Sequence, residues 1–152
     1  MPSQQVKCIL LTLRTENVVV PNAAVAEIVS LREIHKIENA PKWLMGKMSW
    51  RGIEIPLVSF EAAAEVAGAG MGATQAAVLY LINKEDNLAY PYVGLAISGV
   101  PHVSHFSREQ INPDTRVTRS HPMVAQRIRI NGAAASILDI DAIGTMITQS
   151  GA

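Results

Sequence analysis

The sequence predicts a mainly β protein, built as a small barrel or a pair of barrels with a few short helices. Three observations carry that expectation. Short apolar and β-branched runs recur along the chain with turn signals between them. Strands do not alternate with helical patterns of about 10–15 residues, which argues against a doubly wound sheet. Two stretches 80 residues apart repeat one pattern: "RGIEIPLVSFEAA" (Arg51 to Ala63) and "NGAAASILDIDAI" (Asn131 to Ile143). Each has a turn glycine, an extended apolar segment and the start of a helical turn. Leu57-Val58 falls on Ile137-Leu138, and Ser59-Phe60 falls on Asp139-Ile140. The repeat predicts two similar subdomains.

The elements follow in order. Val6 to Leu13 ("VKCILLTL") is an apolar first strand, closed by a turn at Arg14 to Asn17. Val18 to Val20 is β-branched and extends until Pro21, which lacks the N–H that a ladder needs. Asn22 is placed to cap a helical turn through Ala23 to Ile28, with Val25 and Ile28 on one face. "HKIENAPKW" is loop-like and punctuated by Pro41. Leu44 to Phe60 ("LMGKMSWRGIEIPLVSF") reads as two apolar strands joined at Arg51-Gly52. Glu61 to Ala67 is alanine-rich and reads as a short helix, broken by "GAGMG" at Gly68 to Gly72. Ala76 to Ile82 and Tyr92 to Val100 are strands separated by a turn at Asn83 to Asn87. His102 to Arg119 is polar, holds Pro113 and reads mainly as loop. Val124 to Ile130 and Ala133 to Ile140 form a hairpin around Asn131-Gly132, a dipeptide suited to a two-residue turn. Asp139 or Asp141 caps a final short helix, Ala142 to Thr148.

Composition bounds the function. With 152 residues the chain is long enough to bury a real core. Thirteen basic residues balance thirteen acidic ones, so no global charge draws it to nucleic acid or anionic lipid. Two tryptophans and two phenylalanines offer no interleaved basic and aromatic surface for a single strand. Cys8 is the sole cysteine, which leaves no disulfide and no thiolate metal cluster. Met1 to Lys7 does not read as a signal segment, and no apolar run is long enough to span a bilayer. A cytoplasmic protein without direct membrane insertion is expected.

Catalytic patterns are missing. The sequence has no G-x-S-x-G, Walker A, H-E-x-x-H or C-x-x-C motif. "GAGMG" lacks dinucleotide-loop spacing and follows a helical segment, so it reads as a connector. "HVSH" (His102 to His105) offers two imidazoles, with Glu109 or His121 as the only third ligand in view; solvated loop histidines are the simpler reading. No serine, histidine and aspartate are patterned as nucleophile, base and orienter. A binding module without cofactor or metal is expected rather than an enzyme.

Two stretches resemble the CheW family of chemotaxis coupling proteins: "VVVPNAAVAEIV" (Val18 to Val29) and "IENAPKWLMGKMSWRGIEIPLVSF" (Ile37 to Phe60). The family pattern there is an apolar strand ending in Pro, V-x-E-I, an apolar-Pro segment, then G-x-x-N-L-R-G-x-x-x-P-V-V-D-L. The resemblance is specific from Val18 to Phe60 and loose from Gly68 to Pro122. Two positions depart from it. N-L-R-G is Ser49-Trp50-Arg51-Gly52 here, and V-D-L is Val58-Ser59-Phe60. The resemblance implies one CheW-like domain over residues 1–152, made of two intertwined SH3-like five-stranded β-barrel subdomains over a shared core, with hairpins near 44–60 and 124–140. It implies a non-catalytic adaptor, monomeric when free and recruited to membrane-associated receptor arrays. That adaptor would join the cytoplasmic tip of methyl-accepting chemoreceptors to the regulatory domain of a CheA-type histidine kinase. A divergent branch of the family serves type IV pili and twitching motility. A module that binds the kinase, or competes with another adaptor without coupling receptors, is the alternative.

The resemblance also selects candidate protein-binding residues. Family members hold a matching Glu and Arg near each other beside the receptor-binding surface, which points to Glu27 and Arg51. A guanidinium on that carboxylate would fix the hairpin against the preceding turn; the plainer alternative is a solvated turn arginine beside Gly52, the one residue there that needs backbone freedom. Gly46 lies inside a strand pattern, which suggests a bulge, a close approach by another chain or tight packing in the barrel. Val25, Ile28, Met45 and Met48 are candidates for a helix-accepting patch or for the core. In a regular strand Met45 and Met48 would face opposite ways, leaving at most one on the binding side. Pro56 suits an edge-like position. Trp50 is either core or an interface anchor.

Overall fold

The two repeated stretches fold alike, and the rest of the chain is arranged around them. The structure, a computed structural model, describes residues 5–13, 16–64, 72–81, 90–116 and 120–151. The strands are β1 (Gln5–Thr12), β2 (Asn17–Pro21), β3 (Val25–Ser30), β4 (Leu44–Trp50), β5 (Ile53–Val58), β6 (Gln75–Tyr80), β7 (Tyr92–Ile97), β8 (His102–Ser107), β9 (Ile111–Pro113), β10 (Val124–Ile130) and β11 (Ala133–Leu138). The α-helices are α1 (Phe60–Ala63) and α2 (Ile140–Ser150). One sheet runs β3-β6-β7-β5-β4, the other β8-β1-β2-β11-β10-β9.

The two orders coincide when β3, β6, β7, β5 and β4 are read as β8, β1, β2, β11 and β10. In both sheets the second strand of the repeated hairpin pairs in parallel with its neighbour. Leu57-Val58 lies against Gly94-Leu95, and Ser136-Ile137 lies against Val18-Val19. The connections differ. β6 and β7 follow β5 directly, whereas β1 and β2 come from the start of the chain. The first hairpin of the chain therefore completes the second sheet, and the halves are intertwined.

Local geometry repeats at the same offset. Ser59 N–H donates to the Trp43 carbonyl at 2.8 Å, and Asp139 N–H donates to that of Met123 at 2.8 Å. Each hairpin is bulged near its entry, between Leu44 and Gly46 and between Val124 and Gln126. Each turn has positive φ at both central residues: 48° and 80° at Arg51-Gly52, 49° and 86° at Asn131-Gly132. That backbone matches the twist of the flanking strands, as a type I′ turn does. Each copy then caps a helix. Ser59 Oγ accepts from Ala62 N–H at 3.2 Å, and Asp139 accepts from Ala142 N–H at 3.0 Å.

Alternation of strand faces sorts the apolar residues into three clusters. The largest lies between the sheets. It joins Leu11, Val18 and Val20 to Leu79, Leu95 and Ile97, and Phe60, Met123, Ile143 and Ile147 close it. Full burial of one such side chain stabilises by about 1.5–3 kcal/mol. Met48, Trp50, Ile55, Leu57 and Val78 form a second cluster in the first sheet. Cys8, Val19, Ile128, Ile130 and Ala135 form a third in the second sheet. Cys8 is thus a small core residue, and burial pushes its thiol pKa up.

Several expectations need correction. Asn22 does not cap a helix: it is the first residue of a 3-10 turn that ends at Ala24, behind Pro21 and with no side-chain cap bond, and Val25 to Ser30 is β3, paired with β6. A bulge between Val25 and Glu27 still lets Val25 and Ile28 pack against the same cluster. His102 to Pro113 is not mainly loop. β8 pairs with β1 from Gln5↔Ser107 to Leu10↔His102, and as an edge strand with no buried residue it carries little apolar alternation to betray it. The second sheet shows six strands instead of five because a 3-10 turn at Arg108–Gln110 interrupts the bent strand, splitting it into β8 and β9. α1 starts at Phe60 and spans four residues, while α2 runs longer than expected, to a Gly151 C-cap at φ 76°. Residues Gly68 to Met71 of "GAGMG" and the turn at Asn83 to Asn87 lie outside the described residues.

Candidate functional site

β3 and β4 are the two edges of the first sheet. The loop joining them bonds back onto β4: His35 and Lys47 exchange backbone N–H···O bonds, both at 2.8 Å. Beyond that bridge the edges face each other across a seam. A cavity of 770 Å³ opens there, lined by Glu27, Val29 and Arg32 on one side and Met48, Trp50 and Arg51 on the other.

Three side chains close one end of the seam. The Trp50 indole N–H donates to Glu27 Oε2 at 2.8 Å. Arg51 Nε lies 3.4 Å from the same oxygen. The Arg51 guanidinium carbon sits 4.9 Å from the Trp50 ring centroid, within cation–π range. Trp50 is 7% exposed, whereas the side chains of Arg51 and Glu27 are 67% and 41% exposed. The ion pair by itself therefore contributes about 0–1 kcal/mol. The buried indole anchors it to the sheet. Tyr92 packs behind at 4.7 Å from Trp50, with Tyr80 at 5.3 Å from Tyr92. Trp50 joins the core cluster and also reaches the surface through its N–H.

Position 51 requires backbone freedom after all. Its φ of 48° lies in the left-handed region, which a long side chain adopts at a cost of about 1–2 kcal/mol. At Gly52 a Cβ would meet nothing within 4 Å, so the glycine answers to its φ of 80° and not to space. Gly46 is the reverse case. A Cβ there would come within 2.4 Å of the His35 carbonyl oxygen, and the residue is buried. Its close neighbour is this chain's own loop.

The expected apolar patch is not assembled as one surface. Val25 and Ile28 pack, half-buried, against the shared core, although Ile28 also borders the cavity. Met48 is buried over Gly94, in the cluster inside the first sheet. Met45 packs against that same cluster, since the bulge at Leu44/Gly46 breaks the alternation that would separate the two methionines. Pro56, on β5, pairs with Lys47 of β4; β5 lies inside the sheet, but its pairing with β7 covers Leu57-Val58 and not Pro56, so the proline keeps a locally edge-like place. Among the expected binding residues, the structure brings together Glu27, Arg51, Ile28 and Met48 around the seam. Val25 packs against the shared core, Gly46 lies against the His35 carbonyl, and Gly52 completes the turn. Sequence reasoning missed the Trp50–Glu27 bond, whose one signal was Trp50 standing where the motif has leucine.

Other polar clusters are structural. His102 and His105 lie on β8, and among the described residues no group of three possible ligands gathers. His121 is buried and stacked on Phe60 at 4.0 Å. Its Nδ1 accepts from Met123 N–H at 3.0 Å, so Nε2 carries the proton and donates to the Phe60 carbonyl at 2.9 Å. Burial, foremost, and the Arg127 charge hold its pKa below the ordinary imidazole value; the Phe60 bond and Glu16 oppose them. Arg127 donates to Glu16 and to Ser136 across the second sheet.

A family model for the CheW-like domain matches residues 7–147. No curated protein matches the chain. Among solved structures, the crystal structure of the scaffolding protein TtCheW from Thermoanaerobacter tengcongensis is similar, with a TM-score of 0.70 and 19% identity, over 91% of this chain and 86% of that one. At that identity the likeness speaks to the fold.

Proposed function

The chain belongs to the CheW-like domain family, and from that premise we propose that it is a non-catalytic adaptor of a chemosensory array. In this reading it joins the cytoplasmic tip of a methyl-accepting chemoreceptor to the regulatory domain of a CheA-type histidine kinase. The observation that carries the reading is the Glu27–Arg51 contact at the seam of the first sheet. These are the two residues that the family resemblance sets beside the receptor-binding surface. The seam offers a partner a concave, half-polar groove with an anchored charge pair at one end. No described helix is long and apolar enough to cross a membrane; in this reading attachment to a receptor array runs through protein contacts.

Coupling demands more than binding. The adaptor must bind its partners with different affinity in two array states, or it transmits nothing. Calorimetry of the purified chain with the kinase regulatory domain, and separately with a receptor cytoplasmic fragment from the same cell, tests the reading. Saturable binding on the order of micromolar to both is expected. Arg51→Ala should weaken the receptor arm and spare the kinase arm. Loss confined to the kinase arm would move the hairpin to the kinase surface. Kinase binding without any receptor control would leave the competing-module alternative. A folded chain that binds neither partner would remove the adaptor reading altogether.

A further inference from the structure

Both contacts that Glu27 makes end on one oxygen. The Trp50 indole N–H and Arg51 Nε both address Oε2. Among the described residues Oε1 has no partner, and the terminal nitrogens of Arg51 make no hydrogen bond. An open acceptor and an open donor thus stand side by side on the surface, on side chains tied to a buried indole. We propose that Trp50 is the positioning residue of this surface, and that it presets Glu27 and Arg51 to read a side-chain carboxamide, an Asn or Gln, on the docked partner. The proposal rests on the adaptor reading and names the chemistry that its receptor-facing pair would select.

The choice of carboxamide follows from the charges. A partner carboxylate would satisfy Arg51 but meet the lone pairs of Glu27 Oε1. An ammonium or guanidinium would satisfy Glu27 but face Arg51. A hydroxyl can donate to Glu27 and accept from Arg51, but from a single oxygen that both side chains would have to reach together. A carboxamide carries N–H donors and a C=O acceptor on neighbouring atoms of one planar group, whereas a neutral imidazole has its one donor and one acceptor separated across the ring. The backbone of a helical partner has its own N–H and C=O groups engaged internally, so the side chain must supply them. The second hairpin shows that this unit is not a by-product of the repeat. Ile130 and Asn131 occupy the places of Trp50 and Arg51, and an isoleucine donates no hydrogen bond.

Presetting is what Trp50 adds. Without its N–H and ring, Glu27 and Arg51 are two exposed, flexible side chains that a partner must order as it binds. Trp50→Phe removes the N–H but keeps a ring beneath Arg51. It should weaken binding of the receptor cytoplasmic fragment about five- to tenfold, whereas the control Trp43→Phe should stay within about twofold. Replacing each Asn and Gln of the fragment by Ala in turn should find one position with the same loss. That loss should not add to the loss from Trp50→Phe, a non-additivity that a merely structural role would not produce. In the free chain, Glu27→Ala should speed solvent exchange of the Trp50 indole proton, a readout that leaves the tryptophan in place. Trp50→Phe binding the fragment as wild type does, or additive losses at every Asn and Gln, would overturn the proposal while leaving the adaptor reading intact. If the wild-type chain binds neither fragment nor kinase domain, the adaptor reading falls and takes the proposal with it.

Discussion

The hairpins β4–β5 and β10–β11 have the same turn geometry, a bulge near the same entry point, the same parallel neighbour and the same helix cap. Their charges do opposite things. In β4–β5, Arg51 sits at the tip, two-thirds exposed, beside a cavity. In β10–β11 the tip is Asn131, and the arginines lie within the strand, where Arg127 is 19% exposed against Glu16. One hairpin directs its charge outward, while the other uses it to hold β10 against Glu16, just before β2. Identical backbone therefore says little about role; placement of charge along the hairpin decides it.

The sharpest way to break the equivalence is at the bulge. Gly46→Ala places a Cβ against the His35 carbonyl at a positive φ and should destabilise by about 3 kcal/mol or more. Gln126→Ala, at the matching exposed position, should stay within about 0.5 kcal/mol. Equal losses in denaturant melts would show that the His35 approach does not distinguish the hairpins.

The next contrast is in mid-strand. Arg127→Ala leaves the Glu16 carboxylate, in a half-buried site, with Ser136 but without its charge partner, and should lose about 2–3 kcal/mol. Its counterpart Lys47→Ala loses a contact with Tyr90 near the surface and should lose less than about 1 kcal/mol. A Lys47 effect as large as that at Arg127 would erase the distinction between an outward and an inward charge.

Acid should act through the second half. The folded pKa of His121 lies below its ordinary value of 6.5, so the unfolded chain binds the proton first. This group's contribution is full above the unfolded pKa, falls as pH drops from about 6.5 toward the lower folded pKa, and is flat beneath it. His121→Gln should remove that part of the slope when stability is followed from pH 8 to 5. An unchanged slope would mean that another group titrates.

The smallest effect expected is at the tips. Arg51→Asn should be neutral or stabilise by about 0.5 kcal/mol, because asparagine tolerates positive φ. Asn131→Arg should destabilise by about 0.5–1 kcal/mol. If Arg51→Asn instead destabilised by more than 1 kcal/mol, the Glu27–Trp50–Arg51 unit would be a stability element and not a presented surface.

Much of the fold was legible from local signals. Val18 to Pro21, Tyr92 to Ile97 and both repeated hairpins announce themselves by β-branched runs and turn dipeptides, whose causes lie within a few residues. β3 and β8 were misread. Val25 to Ser30 follows Asn22, a residue type that caps helices but makes no cap bond here, and no residue of His102 to Ser107 is buried, so only the partner strands β6 and β1 make them strands. The site divides in the same way. Glu27 and Arg51 came from the family motif, whereas the bond from Trp50 to Glu27 spans 23 residues and leaves no mark on spacing.

By itself, the sequence determined the mainly β class, the repeat of hairpin, strand and helical cap, and the absence of charge or motif for nucleic acid or catalysis. Only the tertiary structure decided that the N-terminal hairpin completes the second sheet, that both methionines of β4 face one cluster, and that Trp50 holds the charge pair. The reason is range. Propensity, turns and caps act over a few residues, whereas edge pairing, bulges and seam contacts depend on which distant strand arrives as a neighbour.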